Sequence, residues 1–336
     1  PRATYNRHDR VAEAFDDVVL DDGTVRVTAW YGKYFLDAQT AGFRGNVIVT
    51  DTSTVMTCDS LFYDRTSKRS RAIRRVRVYS PADRVTMFGG QLDNDPAMRH
   101  SVMTLNPLLV QVDTTGTGKP DTLQVRARVL ESIRDSLRVL LATDSVRMVR
   151  TDLAGLSERA TFYTQADSIT LRGHPILWQK DTQVSGDSIN LYLRRRKLRR
   201  LLVMGNAAAV SVSDSLHRNR LDQATGDTLT MHFASEGLDR TEVSGRATSV
   251  YHVYDDSTAN GLNKSSGDKI VMMFVDGKAS RISVIGGVEG IYVPENLLYR
   301  HEEDYALPGC VLRGDRPRPV AVPAFFPPPS WRPGAR

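Results

Sequence analysis

Cysteine is almost missing from this 336-residue chain: Cys58 and Cys310 are its only two, far apart and in unlike contexts. They cannot build a disulfide scaffold or a cysteine zinc site, and a bridge between them is the one disulfide the composition allows. Long apolar runs are missing too. Nothing approaches the roughly 18 apolar residues of a membrane-spanning helix, so the chain is not expected to cross a bilayer as a helix. No charged-then-apolar leader follows Pro1, so a signal peptide is either absent or already removed. Lysine is scarce, with eight among 45 basic residues, and the net charge is +6. That mild excess suits an anionic partner, and it equally describes a solvated, arginine-rich surface.

Enzyme signatures are also lacking. The seven histidines show no metal-ligand spacing, and His232 reads as a surface residue of a strand. Gly116-Thr-Gly-Lys119 lacks the full phosphate-loop pattern and precedes Pro120, which makes it a turn. The cluster Arg194-Arg-Arg-Lys-Leu-Arg-Arg200 has no interleaved aromatics of the kind that stack on nucleic acid, so it reads as a solvated hairpin tip and no nucleic-acid partner is expected. No catalytic residue, metal or cofactor is assigned.

What the chain does have is repetition. Val184-Ser-Gly-Asp-Ser-Ile-Asn-Leu-Tyr-Leu193, Ala224-Thr-Gly-Asp-Thr-Leu-Thr-Met-His-Phe233 and Ser265-Ser-Gly-Asp-Lys-Ile-Val-Met-Met-Phe274 align without gaps. A second glycine follows 19 residues after the first in each: Gly205, Gly245 and Gly286. Ile189, Leu191 and Leu193 correspond to Leu229, Met231 and Phe233, and then to Ile270, Met272 and Phe274. This period of two marks a strand with one buried face. After a polar turn (194–197, 234–237, 276–278), a second alternating run carries Leu201 and Val203, then Val243, then Ile282 and Val284. Each unit therefore reads as an antiparallel strand pair, and its second glycine marks a bend or bulge that curves the sheet. Asp187, Asp227 and Asp268 recur once per unit beside a glycine, which points to turn geometry more than to acid–base work.

Looser copies fill the earlier chain: Cys58–Asp64 with Leu61 and Tyr63, Gly90–Asp95 leading to Pro107–Val110, and Leu156–Phe162 leading to His174–Trp178. Between Leu123 and Leu141 the residues Leu130, Ile133, Leu137 and Leu141 also suit a helix, but their place in the series favours strand–turn–strand. The expected organisation is an N-terminal arm over 1–23, β repeats over 24–112, a loop or joint over 113–121, further repeats over 122–293 and a proline-rich tail over 294–336. The tail, with Pro327-Pro-Pro329 and the aromatics Phe325, Phe326 and Trp331, reads as unanchored.

Ala29-Trp-Tyr-Gly-Lys-Tyr34, Gly45-Asn-Val47, Thr57-Cys-Asp-Ser-Leu-Phe-Tyr-Asp64, Ala72 and Val76 resemble the OstA-like (LptA-type) domain of lipopolysaccharide-transport proteins. Ser185-Gly-Asp187, Gly205-Asn-Ala207 and Gly286-Gly-Val288 running to Pro294 look like the same pattern continued, over roughly residues 25 to 310. The sequence departs from the pattern at Cys58, where a small residue is usual, and around Arg75 to Arg77, where a glycine is replaced. The resemblance implies an all-β, open β-jellyroll or folded sheet in the periplasm, carrying the acyl chains of lipopolysaccharide to the outer membrane. It further implies edge-strand pairing with other lipopolysaccharide-transport proteins and head-to-tail self-association. The residues expected against lipid are Val47, Val49, Leu61, Tyr63, Ile189, Leu191, Leu193, Val203, Leu229, Met231, Phe233, Val243, Ile270, Met272, Phe274 and Val284. The same stripe also suits a plain hydrophobic core, so the rival reading is a structural or interaction module with a closed interior. A carbohydrate-active β-repeat enzyme using Asp187 and Asp227 is the third.

Overall fold

The computed structural model describes residues 1–21, 23–113, 121–134, 138–194, 196–213, 217–234, 237–255, 258–275, 278–298 and 301–324. The chain divides into two compact units, Pro1–Asp144 with Pro319–Arg336, and Ser145–Arg318. The first unit holds β1 (Arg2–Asn6), β2 (Val11–Asp21), β3 (Arg26–Phe35), β4 (Thr40–Thr50), β5 (Val55–Asp64), β6 (Ser70–Ser80), β7 (Val85–Asp95), β8 (His100–Thr104), β9 (Leu108–Asp113), β10 (Asp121–Arg126) and β11 (Val129–Ile133). Strand β12 (Val139–Val149) leads onward. The second unit holds β13 (Leu153–Tyr163), β14 (Ser168–Arg172), β15 (Ile176–Gln179), β16 (Thr182–Ser185), β17 (Ser188–Arg194), β18 (Lys197–Val212), β19 (Leu221–Phe233), β20 (Leu238–Asp255), β21 (Thr258–Val275), β22 (Lys278–Ile285) and β23 (Glu289–Pro294). A single turn of helix, α1 (Glu295–Leu298), and a 3-10 turn, Glu302–Tyr305, follow. Among the described residues no helix is long and apolar enough to cross a membrane.

The fold is all-β, and its strands pair antiparallel with sequence neighbours, as the repeat arithmetic requires. The three hairpins read from the sequence are β17–β18, β19–β20 and β21–β22. The run with helical spacing is β10, β11 and the start of β12, with Leu137 outside the described residues. Alternation wins there because Leu130 drops into the row between Met103 and Ala142, which a helix could not join.

Strands bend where two successive residues take left-handed backbone. In the first unit these pairs are Asp16–Asp17, Gly45–Asn46, Arg74–Arg75 and Leu105–Asn106; in the second they are Gly173–His174, Gly205–Asn206, Gly245–Arg246 and Gly286–Gly287; Asp144–Ser145, within β12, is a further pair. The ladder shifts register at such places, between Arg44 and Val47, Ile73 and Val76, Met204 and Ala207, and Ser244 and Ala247. These are bulges that turn the strand at a corner. The glycine missing from the early repeat is replaced at Arg74–Arg75, with φ of 62° and 45°, and Arg75 Nε donates to Asp59 at 2.8 Å.

The recurrent aspartates belong to these corners. A side chain added at Gly205, Gly245 or Gly286 would collide with Asp187, Asp227 or Asp268 of the neighbouring strand. Asn206 Nδ2 donates to Asp187 Oδ1 at 3.1 Å, and Arg246 Nη2 donates to Asp227 Oδ1 at 2.5 Å. Gly245 must therefore lack a Cβ for two reasons, its φ of +75° and the space that Asp227 fills.

Two ends differ from expectation. The N-terminal residues are not an arm. Strand β2 pairs with β3 from Val11 to Asp21, and Phe15 meets Tyr31 at 5.2 Å between ring centroids. The corner Asp16–Asp17 interrupts its alternation, which hid the strand. The C-terminal segment stays out of the sheet but is anchored as far as it is described, because Leu298, Leu307 and Cys310 are buried. Its later residues, Phe325 to Trp331 among them, and most of the expected joint at 113–121, including Gly116–Lys119, lie outside the described residues.

Replacing Gly245 with alanine should destabilise the chain by about 1–3 kcal/mol, because a non-glycine residue is forced into left-handed backbone against a filled site. Urea denaturation measures it. Arg246→Ala, on an exposed side chain, should cost well under half as much.

Candidate functional site

In the second unit the apolar stripe forms two cross-strand rows. One runs Leu171, Ile189, Val203, Leu229, Val243, Ile270, Val284, each opposite the next on adjacent strands. The other runs Ile169, Leu191, Leu201, Met231, Thr241, Met272, Ile282. All the hairpins therefore aim their apolar sides at the same face. Toward the hairpin tips, Leu193, Phe233 and Phe274 extend that face.

The first unit repeats the arrangement. Ala14, Gly32, Phe43, Leu61, Ala72, Leu92, Met103, Leu130 and Ala142 stand opposite one another in turn from β2 to β12. Beyond the corner, Val47 faces Cys58, and Val49 faces both Val27 and Met56.

Burial separates the sixteen expected residues into two sets. Val47, Leu61, Ile189, Leu191, Val203, Leu229, Met231, Phe233, Val243, Ile270 and Met272 are buried. Val49, Tyr63, Leu193, Phe274 and Val284 are half-buried, and most of these lie near strand ends. The stripe thus has a sealed floor and a partly open margin. In the second unit a Cβ at Gly155 would touch its ladder partner Leu177 together with Leu171, which precedes the Gly173–His174 corner, and Met148, so residues from both sides of that corner meet there.

One residue of this face escaped the sequence reading. Thr241 stands between Met231 and Met272, is 3% exposed, and its hydroxyl has no hydrogen-bond partner among the described residues. Its position is the one Leu201 holds a repeat earlier, which was the available signal.

The alternate face of the first unit carries an open groove of about 740 Å³. Phe35, Gly42, Phe62, Ile73 and Val102 line it, and the ion pairs Arg69–Asp95 and Arg71–Asp93 rim it. Of the expected lipid residues, Tyr63 lines it. In the second unit the corresponding outer surface is a charge network, in which Lys269 Nζ at 2.6 Å and Arg240 at 2.8 Å hold the Glu242 carboxyl below its ordinary range. His232 sits beside it, half-buried. Arg200 stacks over the Tyr192 ring at 4.1 Å near the basic hairpin tip.

Neither cysteine is bridged; both are free and buried. Burial pushes the Cys58 thiol up to about 12 and the Cys310 thiol up to about 11. Among the described residues no group of three or more His, Cys, Asp or Glu is placed to hold a metal ion.

This geometry defines a class: an antiparallel β protein of corner-bent hairpins with one continuous apolar face in each unit. Residues 2–113 match the family described as OstA-like protein. No curated protein matches the chain. Among solved structures, it is similar to LptH from Pseudomonas aeruginosa, the LptA-homologous periplasmic component of the conserved lipopolysaccharide transport device. The identity is 15%, the TM-score is 0.33, and the match covers 42% of this chain and 95% of that one.

Thr241→Val keeps the shape and removes a buried, unpaired hydroxyl, so stability should rise by about 1 kcal/mol in urea denaturation. The thiols give a second expectation. Their proton-bound form is favoured by the fold, so this contribution is complete below the ordinary thiol value of 9.0 and is lost as pH climbs toward 12. Folded protein at pH 8 should resist thiol reagents, whereas urea-unfolded protein should release both groups.

Proposed function

We propose that the chain carries the acyl chains of lipopolysaccharide along its apolar face, as a non-catalytic bridge in the periplasm. The observation that carries this reading is the unbroken registry of apolar rows from hairpin to hairpin, together with the OstA-like match over residues 2–113. Rows that never reverse face offer a long track, apolar except at Thr241, which suits a flexible hydrocarbon better than it suits a small polar substrate. In the second unit entry is by the half-buried margin at Leu193, Phe274 and Val284, with Met231 and Met272 as adaptable side chains behind it.

Partners in this reading join through strand edges. Among the described residues β1 is bonded on one side only, to β2, and all five of its residues are exposed. An unpaired edge of this kind accepts a further strand from another transport protein or from a second copy. The recurrent aspartates need no chemistry of their own, since they fill the corners.

The full burial of Ile189, Leu191, Val203, Leu229, Val243 and Ile270 favours the second reading, a structural module with a closed core. Photo-crosslinking residues placed in cells at Leu193 and Phe274, and at Leu191, Met231 and Met272, separate the two. Lipid carriage predicts lipopolysaccharide adducts at the margin positions at least, with none at Arg240 on the opposite, charged face. No adduct at any of the five positions would leave the closed module standing.

A further inference from the structure

On the later half of β18, apolar residues are buried on both faces of the sheet. Ala207, Ala208, Ala209 and Val210 are all buried in succession on β18. One of the two faces is closed by the C-terminal segment: Ala208, Val210, Val250, Leu262 and Val293 cluster with Leu298, Leu307 and Cys310.

The segment is held there through its main chain. Gln183 Nε2 donates to the carbonyl of Val311 at 2.7 Å, and Gln183 Oε1 accepts the N–H of Arg313 at 2.8 Å. Gln223 Oε1 accepts the N–H of Leu307 at 2.7 Å. Gln183 and Gln223 both stand opposite Val210, so the two amides project from one row of the sheet. They are 2% and 7% exposed, among an otherwise apolar cluster. The same device recurs in the first unit, where Gln124 donates to the carbonyl of Val320 at 3.0 Å and accepts its N–H at 2.8 Å. A buried glutamine that offers donor and acceptor together to an extended backbone imitates one rung of a β ladder. It lets a proline-bearing segment be gripped without becoming a strand.

We propose that the outer face of β16, β18 and β19 is a binding groove for a proline-containing peptide that turns at Pro308–Gly309, filled here by residues 307–313, and that the same segment of a second copy takes that place when the resident one leaves. Three observations carry it. The grip is on main-chain atoms, with Leu307 and Cys310 as its buried side-chain anchors, so a second copy meets every requirement the resident segment meets. No ladder bond is broken when the segment leaves, because it is not part of the sheet. The chain just before it is fastened separately. Leu298 is fully buried, and Arg220, itself buried, pairs with Glu295 and lies 3.9 Å from Glu302, so displacement can stop at Ala306.

The test uses the full chain and a fluorescent peptide of residues 305–318. Leu307→Asp in the chain should free the resident segment, seen as fast hydrogen exchange at the main-chain amide of Arg313, whose N–H the Gln183 side chain accepts. Peptide binding by anisotropy should then rise about tenfold over the unaltered chain, the share of grooves that the resident segment no longer fills. The milder Cys310→Ser should act in the same direction with a smaller effect. Adding Gln183→Ala to Leu307→Asp should remove about tenfold of the peptide affinity, the effect of one buried donor–acceptor pair left unmatched. Equal binding with and without Gln183 would overturn the proposal. So would a freed segment with no peptide binding, or a segment still protected in both anchor variants. A scrambled peptide of the same composition that binds as tightly would overturn the assignment to a second copy.

Discussion

The structure depends on the corner. A long strand can serve two walls of one apolar interior only if it turns sharply partway along, and here the turn is made by two successive left-handed residues with a register shift beside them. Left-handed backbone costs free energy for any residue with a Cβ, so the corner must be supported from outside itself. The neighbouring strand supplies that support through a carboxylate: Asp187 beneath Gly205–Asn206, Asp227 beneath Gly245–Arg246, and Asp59 bonded to Arg75. Each repeat thus carries a corner and the prop for the corner beside it, which is why the Gly–Asp pair and the later glycine recur together.

Given the corners, the apolar rows follow. Antiparallel pairing keeps facing residues on the same side of the sheet, so one alternating strand copied many times produces a continuous apolar face. That face is sealed at its centre and half-open at some strand ends, as at Leu193, Phe274 and Val284. Core packing and a lipid track draw on the same side chains, and what separates the two uses is access at the margin. The unpaired hydroxyl of Thr241 is the exception inside the rows, a polar atom that packing alone gives no reason to keep.

The second face of the same strands has its own solution. Strands covered on both sides read as unbroken apolar runs, as in Leu108–Val110 and Ala207–Val210. Among the described residues the one helical element against them is the single turn α1, through Leu298. In the second unit the cover is a segment outside the sheet, fastened by glutamine side chains, and in the first unit Val320 packs with Phe88, Leu108 and Val110. Proline is no obstacle to such a cover, because the bonds that hold it need only a few main-chain groups at chosen positions.

Strand identity, hairpin pairing and the facing of the stripe were legible in the repeats over 184–285, because a period of two is a local property and the copies made it unmistakable, whereas β1 and β2 were not. The bends were legible where glycine marks them, at Gly205, Gly245 and Gly286, and illegible at Asp16–Asp17, Arg74–Arg75 and Leu105–Asn106, where side chains accept the same backbone. The OstA-like resemblance was readable in the early motifs and holds over residues 2–113. Which side chains of the stripe are sealed and which stay half-open, the unbridged state of Cys58 and Cys310, and the seating of the proline-rich segment were settled by the tertiary structure alone. These depend on contacts between residues far apart in the chain, and alternation along one strand carries no information about what comes to rest against it.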